Sequence, residues 1–178
     1  MRKKMKTEAG FTFIEAILYV AIVSIMLTAL VPFVWNIVEG GSKSSVQQEV
    51  SGNARFVSER IKYEIRNATG INAATDCVSA NKTISLANST GSLDPTVITY
   101  TNPNVTIKQG TSGPLATPMP LNSSDVIVTN FSCSNNSSVD DKTKNVSFSF
   151  TVSQASTTLR QDFKSSMTVQ SSAEVRSN

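Results

Sequence analysis

Few residues in this chain could do chemistry, and they do not form a catalytic set. The sequence has no histidine, which removes the commonest general base and zinc ligand. Its two cysteines, Cys77 and Cys133, lie too far apart in sequence for the spacing of a zinc site. Asp140 and Asp141 could offer oxygen atoms to calcium, although a solvated acidic loop is the simpler interpretation. We therefore expect no enzymatic activity, no cofactor and no metal.

The one chemically unusual group is Glu15, a carboxylate at the entrance of a long apolar segment. No charged residue occurs in the 23 positions from Ala16 to Val38. An ionised carboxylate beside hydrocarbon is costly unless a cation neutralises it. A cut after Gly10 would supply that cation as a new amino terminus on Phe11, within the same chain or from a neighbouring copy. An ordinary secretory signal would be cut after the apolar run, but no Ala-x-Ala site follows it.

The apolar segment is long enough to cross a membrane. As a helix it would span roughly 34 Å, and the hydrocarbon core of a bilayer is about 30 Å thick. Basic residues precede it at positions 2, 3, 4 and 6, and such residues hold their end of a span in the cytoplasm. The sequence therefore predicts a single-pass protein of the cell (inner) membrane with its later part outside the cytoplasm.

The residues around this segment resemble a known processing signal. The stretch KKMKTEAG followed by FTFIEAILYVAIVSI resembles the class III leader of type IV pilins and of the pseudopilins of type II secretion and competence systems. Matches at Gly10, Thr12 and Glu15 carry the resemblance. It implies cleavage between Gly10 and Phe11 by a prepilin peptidase, and N-methylation of Phe11. It also implies assembly into a filament with this helix as its core, in which Glu15 pairs with the amino terminus of an adjacent subunit.

The net charge of the chain resides in the predicted leader. The sequence has 16 basic and 13 acidic residues, a formal net charge of +3. Residues 1–10 hold four basic groups and one acid, so the mature chain would carry twelve of each. Phosphate binding needs clustered Lys and Arg. The neutral charge of the mature chain therefore argues against a nucleic-acid partner bound through bulk charge.

We divide the chain into a leader at 1–10, a membrane and filament-core helix at 11–38, an amphipathic continuation at 39–69 and a β-rich head at 70–178. In the continuation, apolar residues recur every three or four positions, which predicts one buried stripe along a helix. Its members are Val46, Val50, Ala54, Val57, Ile61, Ile65 and Ala68.

Polar residues of the same segment predict its solvent side and its end. Arg55 with Glu59, and Arg60 with Glu64, are spaced to pair along a helix, and we expect both pairs in water. Gly70 is expected to cap the helix in the left-handed conformation.

Pro32 lies near the outer end of the predicted span. Proline removes one helix hydrogen bond and crowds the carbonyl four residues earlier, so we expect a kink or local melting there. The resemblance supports this, because a proline at this place in several pilins marks a segment that loosens in filaments. The alternative is that the span simply ends here, before a flexible exit at Gly40 and Gly41.

The sequence after Gly70 has the character of strands and turns. The clearest strand is 145–152, where apolar residues alternate with Ser and Thr. Other strands are predicted at 83–87, 97–101, 105–108, 125–132 and 166–169. The proline-rich stretch 110–120 is predicted to be an extended loop or a sheet edge. The predicted fold is α+β: a long N-terminal helix, transmembrane and then amphipathic, packed on a C-terminal antiparallel β-sheet head, which is also the pilin architecture.

Cys77 and Cys133 both lie in the part predicted to be exported, where disulfides persist. A bond between them would stabilise the head by about 4 kcal/mol in the chain-entropy model. Two separate buried thiols are the alternative.

Three functions fit these features. The first is a structural subunit of a pilus-like filament in the periplasm or at the cell surface, whose later segments broadly resemble J-type pseudopilins and W-type minor pilins. Its partners would be the prepilin peptidase, other pilin or pseudopilin subunits, a membrane assembly platform and the lipid bilayer. The second is a filament-tip subunit that binds DNA, a surface or a secreted protein. The third is an unprocessed single-pass sensor or binding domain.

Overall fold

The computed structural model describes residues 10–138, 140, 142–155 and 164–176 of the chain. These residues form one long helix followed by eight strands, an α+β arrangement as predicted. The chain divides into two compact units, the first ending at Ser42 and the second beginning at Lys43. Helix α1, Phe13–Asn67, contributes to both units.

The first part of α1, residues 13–42, leaves its apolar side chains uncovered, including those of Ile25 and Leu30. Its hydroxyl groups bond to the backbone of the same helix. Ser24 Oγ donates to the Val20 carbonyl at 2.7 Å, and Thr28 Oγ1 donates to the Ser24 carbonyl at 2.8 Å. Such internal pairing is required in lipid, which offers no water to polar groups. Among the described residues, α1 alone is long and apolar enough to cross a membrane, which is consistent with a single-pass membrane protein.

Pro32 lies inside α1, and the helix continues through it and through Gly40 and Gly41 without a break. The local melting expected at Pro32 is therefore not observed in the single chain, without neighbouring subunits. A kink at Pro32 stays a prediction.

The second part of α1 buries the predicted apolar stripe. Its residues Val50, Ala54, Val57, Ile61 and Ile65 are completely buried against the strands. Full burial of a Val or Ile side chain contributes about 1.5–3 kcal/mol, so this face is the main attachment of the helix to the head.

The strands form two antiparallel sheets, where the sequence predicted one. Sheet A has the order β1 (Gly70–Ile71), β2 (Lys82–Ala87), β3 (Thr96–Thr101), β4 (Asn104–Gln109) and β5 (Met119–Pro120). Sheet B has the order β6 (Val126–Asn135), β7 (Asn145–Gln154) and β8 (Ser166–Glu174). All six predicted strands are present with shifted ends, and the proline-rich stretch ends in β5 at an edge of sheet A.

A row of aromatic rings connects the two sheets inside the head. Tyr100 of β3 stacks on Phe131 of β6, with ring centroids 5.3 Å apart, and Phe131 lies 6.1 Å from Phe150 of β7. A bulge between Thr129 and Ser132 directs Phe131 into this core, and Asn130 there has a φ of 53°. Asn tolerates the left-handed region better than most residues, which explains its presence at the bulge.

Two local predictions around the end of α1 are wrong. Gly70 is not a left-handed cap: it begins β1 and pairs with Ala87, because the chain leaves the helix directly into sheet A. The other concerns the charged pairs. Glu59 pairs with Lys62 rather than Arg55, and the pair of Arg60 with Glu64 forms but is not solvated at Glu64.

Candidate functional site

The predicted processing residues lie together at the start of α1. Gly10, Phe11 and Thr12 precede the first helical residue, Phe13. Gly10 and Phe11 are exposed, and a Cβ placed on Gly10 would meet no atom within 4 Å. Both residues that flank the predicted cleavage site are therefore exposed in the described part of the chain. The basic residues of the predicted leader lie outside the described residues.

Thr12 is the N-cap of α1. Its carbonyl accepts the N–H groups of Glu15 and Ala16 at 3.1 and 3.2 Å, and its Oγ1 accepts the N–H of Glu15 at 3.4 Å. A Thr at the N-cap with a Glu three residues later is the pattern of a capping box, which satisfies free N–H groups of the first turn. The sequence resemblance did not reveal this local role for Thr12, although the Thr-x-x-Glu spacing was visible.

Glu15 projects from the first turn of α1 and is exposed. Its carboxylate has no hydrogen-bond or ion-pair partner within the described part of the chain. An acidic group in the first turn is favoured by the positive end of the helix dipole, usually by about 0.3–1 kcal/mol. That stabilisation is smaller than the cost of placing a charge near hydrocarbon. The remaining cost would be lowered if the carboxylate paired with a cation from outside the described residues.

The surface that follows Glu15 is apolar around its whole circumference. The helix exposes its large apolar side chains from Ile17 to Val38, which in water would form an extended unfavourable surface. An all-round apolar helix requires lipid or other helices as its environment. Near its end, Trp35 Nε1 donates a hydrogen bond to Glu39 Oε1 at 3.0 Å. Trp with its polar edge paired is typical of the boundary between lipid and water.

Among the described residues one carboxylate is buried, that of Glu64 on the face of α1 that meets sheet A. Arg60 Nη2 lies 2.7 Å from Glu64 Oε1, and Gln109 Nε2 donates to both carboxylate oxygens at 3.2 Å. Burial raises the pKa of Glu64, and the Arg60 charge and the Gln109 hydrogen bond oppose that rise. The group therefore clamps β4 to α1. The sequence held a signal for this burial, because Glu64 falls on the apolar stripe one heptad after Val57.

A disulfide joins Cys77 to Cys133, whose Cα atoms are 5.2 Å apart. It links the loop after β1 to strand β6. Asp76 orders the adjoining turn: its carboxylate contacts the Ser79 hydroxyl and accepts the N–H groups of Ser79 and Val78. The hydrogen bonds from Ser79 and Val78 lower the pKa of Asp76.

The described residues contain no group of three or more His, Cys, Asp or Glu side chains that could hold a metal ion. Asp140 is exposed, as expected for a solvated acidic loop, and its neighbour Asp141 lies outside the described residues. Of the predicted site residues, the structure brings together Gly10, Phe11, Thr12 and Glu15. Pro32 and the cysteine pair lie apart from them along the chain.

Comparison with known proteins finds no matching family model, no similar curated protein and no similar solved structure. The long apolar N-terminal helix followed by antiparallel sheets is a pilin-like layout.

Proposed function

We propose that this chain is a structural subunit, a minor pilin or pseudopilin, of a type IV pilus-like filament. It is cleaved after Gly10 by a prepilin peptidase, N-methylated on Phe11 and anchored in the cell membrane by its apolar helix, with the head outside the cytoplasm. From there it joins other subunits on a membrane assembly platform. The observation that carries the proposal is Glu15, whose carboxylate has no partner among the described residues, in the first turn of a helix whose following span is uncharged and exposed.

Cleavage would change the charge at the start of α1. It removes the whole net charge of the chain and creates an amine on Phe11, one helical turn before Glu15. A positive amine at the N-terminal end of a helix is disfavoured by the helix dipole, and the carboxylate is disfavoured beside lipid. Pairing the amine of one subunit with Glu15 of the next relieves both costs at each addition. Pairing within one chain would relieve them before assembly and give no gain on adding a subunit.

A local role of Glu15 competes with this assembly role. Glu15 stands at the third position of α1, from which a Glu or Gln side chain can reach back to the N–H of Thr12; of this capping box the described residues show only the bond from the N–H of Glu15 to Thr12 Oγ1. If capping were its whole purpose, an uncharged Gln would serve nearly as well as Glu. If the charge of Glu15 attracts the amine of a neighbouring subunit, the Glu15→Gln variant would not assemble.

The test compares Glu15→Gln, Glu15→Ala and Thr12→Ala in the host, with Glu39→Gln as the control carboxylate on the same helix. Membrane insertion is measured by resistance to alkaline extraction, and assembly by recovery of the chain in sheared or crosslinked filaments. We expect all four variants to insert, and both Glu15 variants to be lost from filaments by at least about tenfold, which is 1.4 kcal/mol. Thr12→Ala, which keeps the charge, should assemble better than either. Normal assembly of Glu15→Gln would contradict the proposal.

A further inference from the structure

The edges of the two sheets differ in how well they are protected. Sheet A ends on both sides in two-residue strands, β1 and β5, and β5 contains Pro120. The outer edge of β6 is covered, because the N–H of Val128 donates to the Pro103 carbonyl at 2.9 Å and Cys133 is tied to the loop at Cys77. Short strands, proline and covering loops are devices that prevent edge-to-edge association.

Within the part of the chain that the structure describes, strand β8 has none of these devices. It is nine residues long, pairs with β7 without a register shift, and has no partner strand on its other side within the described residues. From Ser166 to Ala173 it contains no charge and no proline, and Glu174 is its first charged residue. An edge of this length and composition is a template for another strand.

The backbone groups on the open side of β8 can be identified from its hydrogen bonds. Val175 N–H donates to the Lys144 carbonyl, and the Ser165 carbonyl accepts the N–H of Gln154, so odd-numbered residues face β7. Backbone groups alternate sides along a strand, and the even-numbered residues therefore face outward. They are Ser166, Thr168, Gln170, Ser172 and Glu174.

We propose that β8 pairs with β8 of a second copy of this chain, antiparallel, with Gln170 on the two-fold axis. Among the described strands, β8 is the edge that a second copy can offer, because the other sheet edges are short, contain proline or are covered. With Gln170 opposite itself, Thr168 faces Ser172 and Ser166 faces Glu174. Every outward-facing residue is then paired, which allows about ten backbone hydrogen bonds. A shift of the axis in either direction leaves an outward residue beyond the end of the other β8.

The side chains are compatible with this register. No like charges face each other within the strand, and the facing Gln170 amides can donate to and accept from one another. Just beyond the strand, Lys164 would lie opposite Arg176 of the second copy, and Glu174 of that copy, a diagonal neighbour of Lys164 and two residues from Arg176, supplies a negative charge beside both. Because a two-fold contact uses the same surface on both copies, it gives a closed dimer and not a filament. This dimer is independent of the proposed assembly through Glu15.

Cysteine crosslinking of the full chain in its host membrane tests the pairing. Facing residues of such a pair have Cα atoms about 5.5 Å apart, within the range that a disulfide can bridge. Gln170→Cys should therefore form a covalent homodimer under mild oxidation. Ser149→Cys is the matched control, since Ser149 lies beside Gln170 on the central strand β7 and points to the same face. Cys77 and Cys133 are already bonded to each other and do not compete.

We expect at least about tenfold more crosslinked dimer from Gln170→Cys than from Ser149→Cys, since only the edge residue reaches its counterpart. Equal yields from the two variants would overturn the proposal. So would crosslinking of Gln170→Cys chiefly to a different protein, which would mean that the edge receives another strand.

A charge exchange tests the register, with Gln170→Cys as the reporter in each background. Thr168→Lys combined with Ser172→Lys places like charges opposite each other at both ends of the pair and should abolish the dimer. Thr168→Lys combined with Ser172→Glu places opposite charges there and should retain it. Both pairs of substitutions lie at exposed positions, so folding of the monomer should be similar. Retention of the dimer in both backgrounds, or its loss in both, would exclude this register.

Discussion

Shortening Ile61 should destabilise the head more than any comparable change in the first part of the same helix. Ile61 is completely buried in the middle of the apolar stripe. Ile61→Ala removes three carbon atoms, worth about 0.8 kcal/mol each on transfer, and leaves a cavity that the surrounding strands fill only partly. Together these terms predict a loss of about 3–4 kcal/mol in the free energy of unfolding. Ile25→Ala removes the same atoms from an exposed side chain of the first unit, and should leave head stability within about 0.5 kcal/mol of wild type.

Pulse proteolysis in urea, on the full chain in detergent, measures this difference. With a denaturant slope of about 2 kcal/mol per molar urea, Ile61→Ala should lower the midpoint of head unfolding by roughly 1.5–2 M. Ile25→Ala should leave the midpoint nearly unchanged. Equal midpoints for the two variants would refute the packing of α1 on the sheets.

Three further predictions concern the head. Burial raises the pKa of Glu64 above its ordinary value of 4.5, so the contribution of Glu64 to stability is fully present below pH 4.5 and is lost as the pH rises through the folded-state pKa. Glu64→Gln should therefore flatten this part of the profile of melting temperature against pH. Parallel profiles for wild type and variant would argue against the burial of Glu64. Removing the disulfide by Cys77→Ala with Cys133→Ala should cost about 4 kcal/mol, and wild type in reductant should match the variant in urea midpoint. Asn130→Val should destabilise by about 1–2 kcal/mol because Val tolerates positive φ poorly, whereas Asn130→Gly should be nearly neutral in the same assay.

Features with a local cause could be predicted from the sequence. The stripe from Val50 to Ile65 follows from helical period, and β7 follows from strict alternation of apolar and hydroxyl residues. The edge position of β5 follows from its proline, which cannot donate a backbone hydrogen bond. In each case a few neighbouring residues decide the structure.

Features that depend on distant residues were missed. The division into two sheets depends on which strands pair, and the repeated Ser, Thr and Val of these strands do not distinguish one partner from another. The burial of Glu64 depends on Gln109, which is far away in the sequence and reaches it through β4. The spacing of Glu64 from Arg60 predicts a solvent-exposed pair, whereas its position seven residues after Val57 lies beside the buried stripe.

The start of α1 illustrates both outcomes. The uncharged span and the lone Glu15 are evident from composition, and the structure places Gly10 and Phe11 in exposed positions before the helix. The capping by Thr12 emerged only from the hydrogen bonds of the first turn. The first turn could thus serve both to cap the helix and to pair with a neighbouring amine. The two roles differ in whether they need the charge of Glu15.

The most direct test of the account is mass spectrometry of the amino terminus of the chain isolated from its host membrane. The account predicts that the mature chain begins at Phe11 and carries an N-methyl group there, with residues 1–10 absent. A mature chain that retains Met1 or the basic residues after it, or one that begins beyond Val38, would contradict the account.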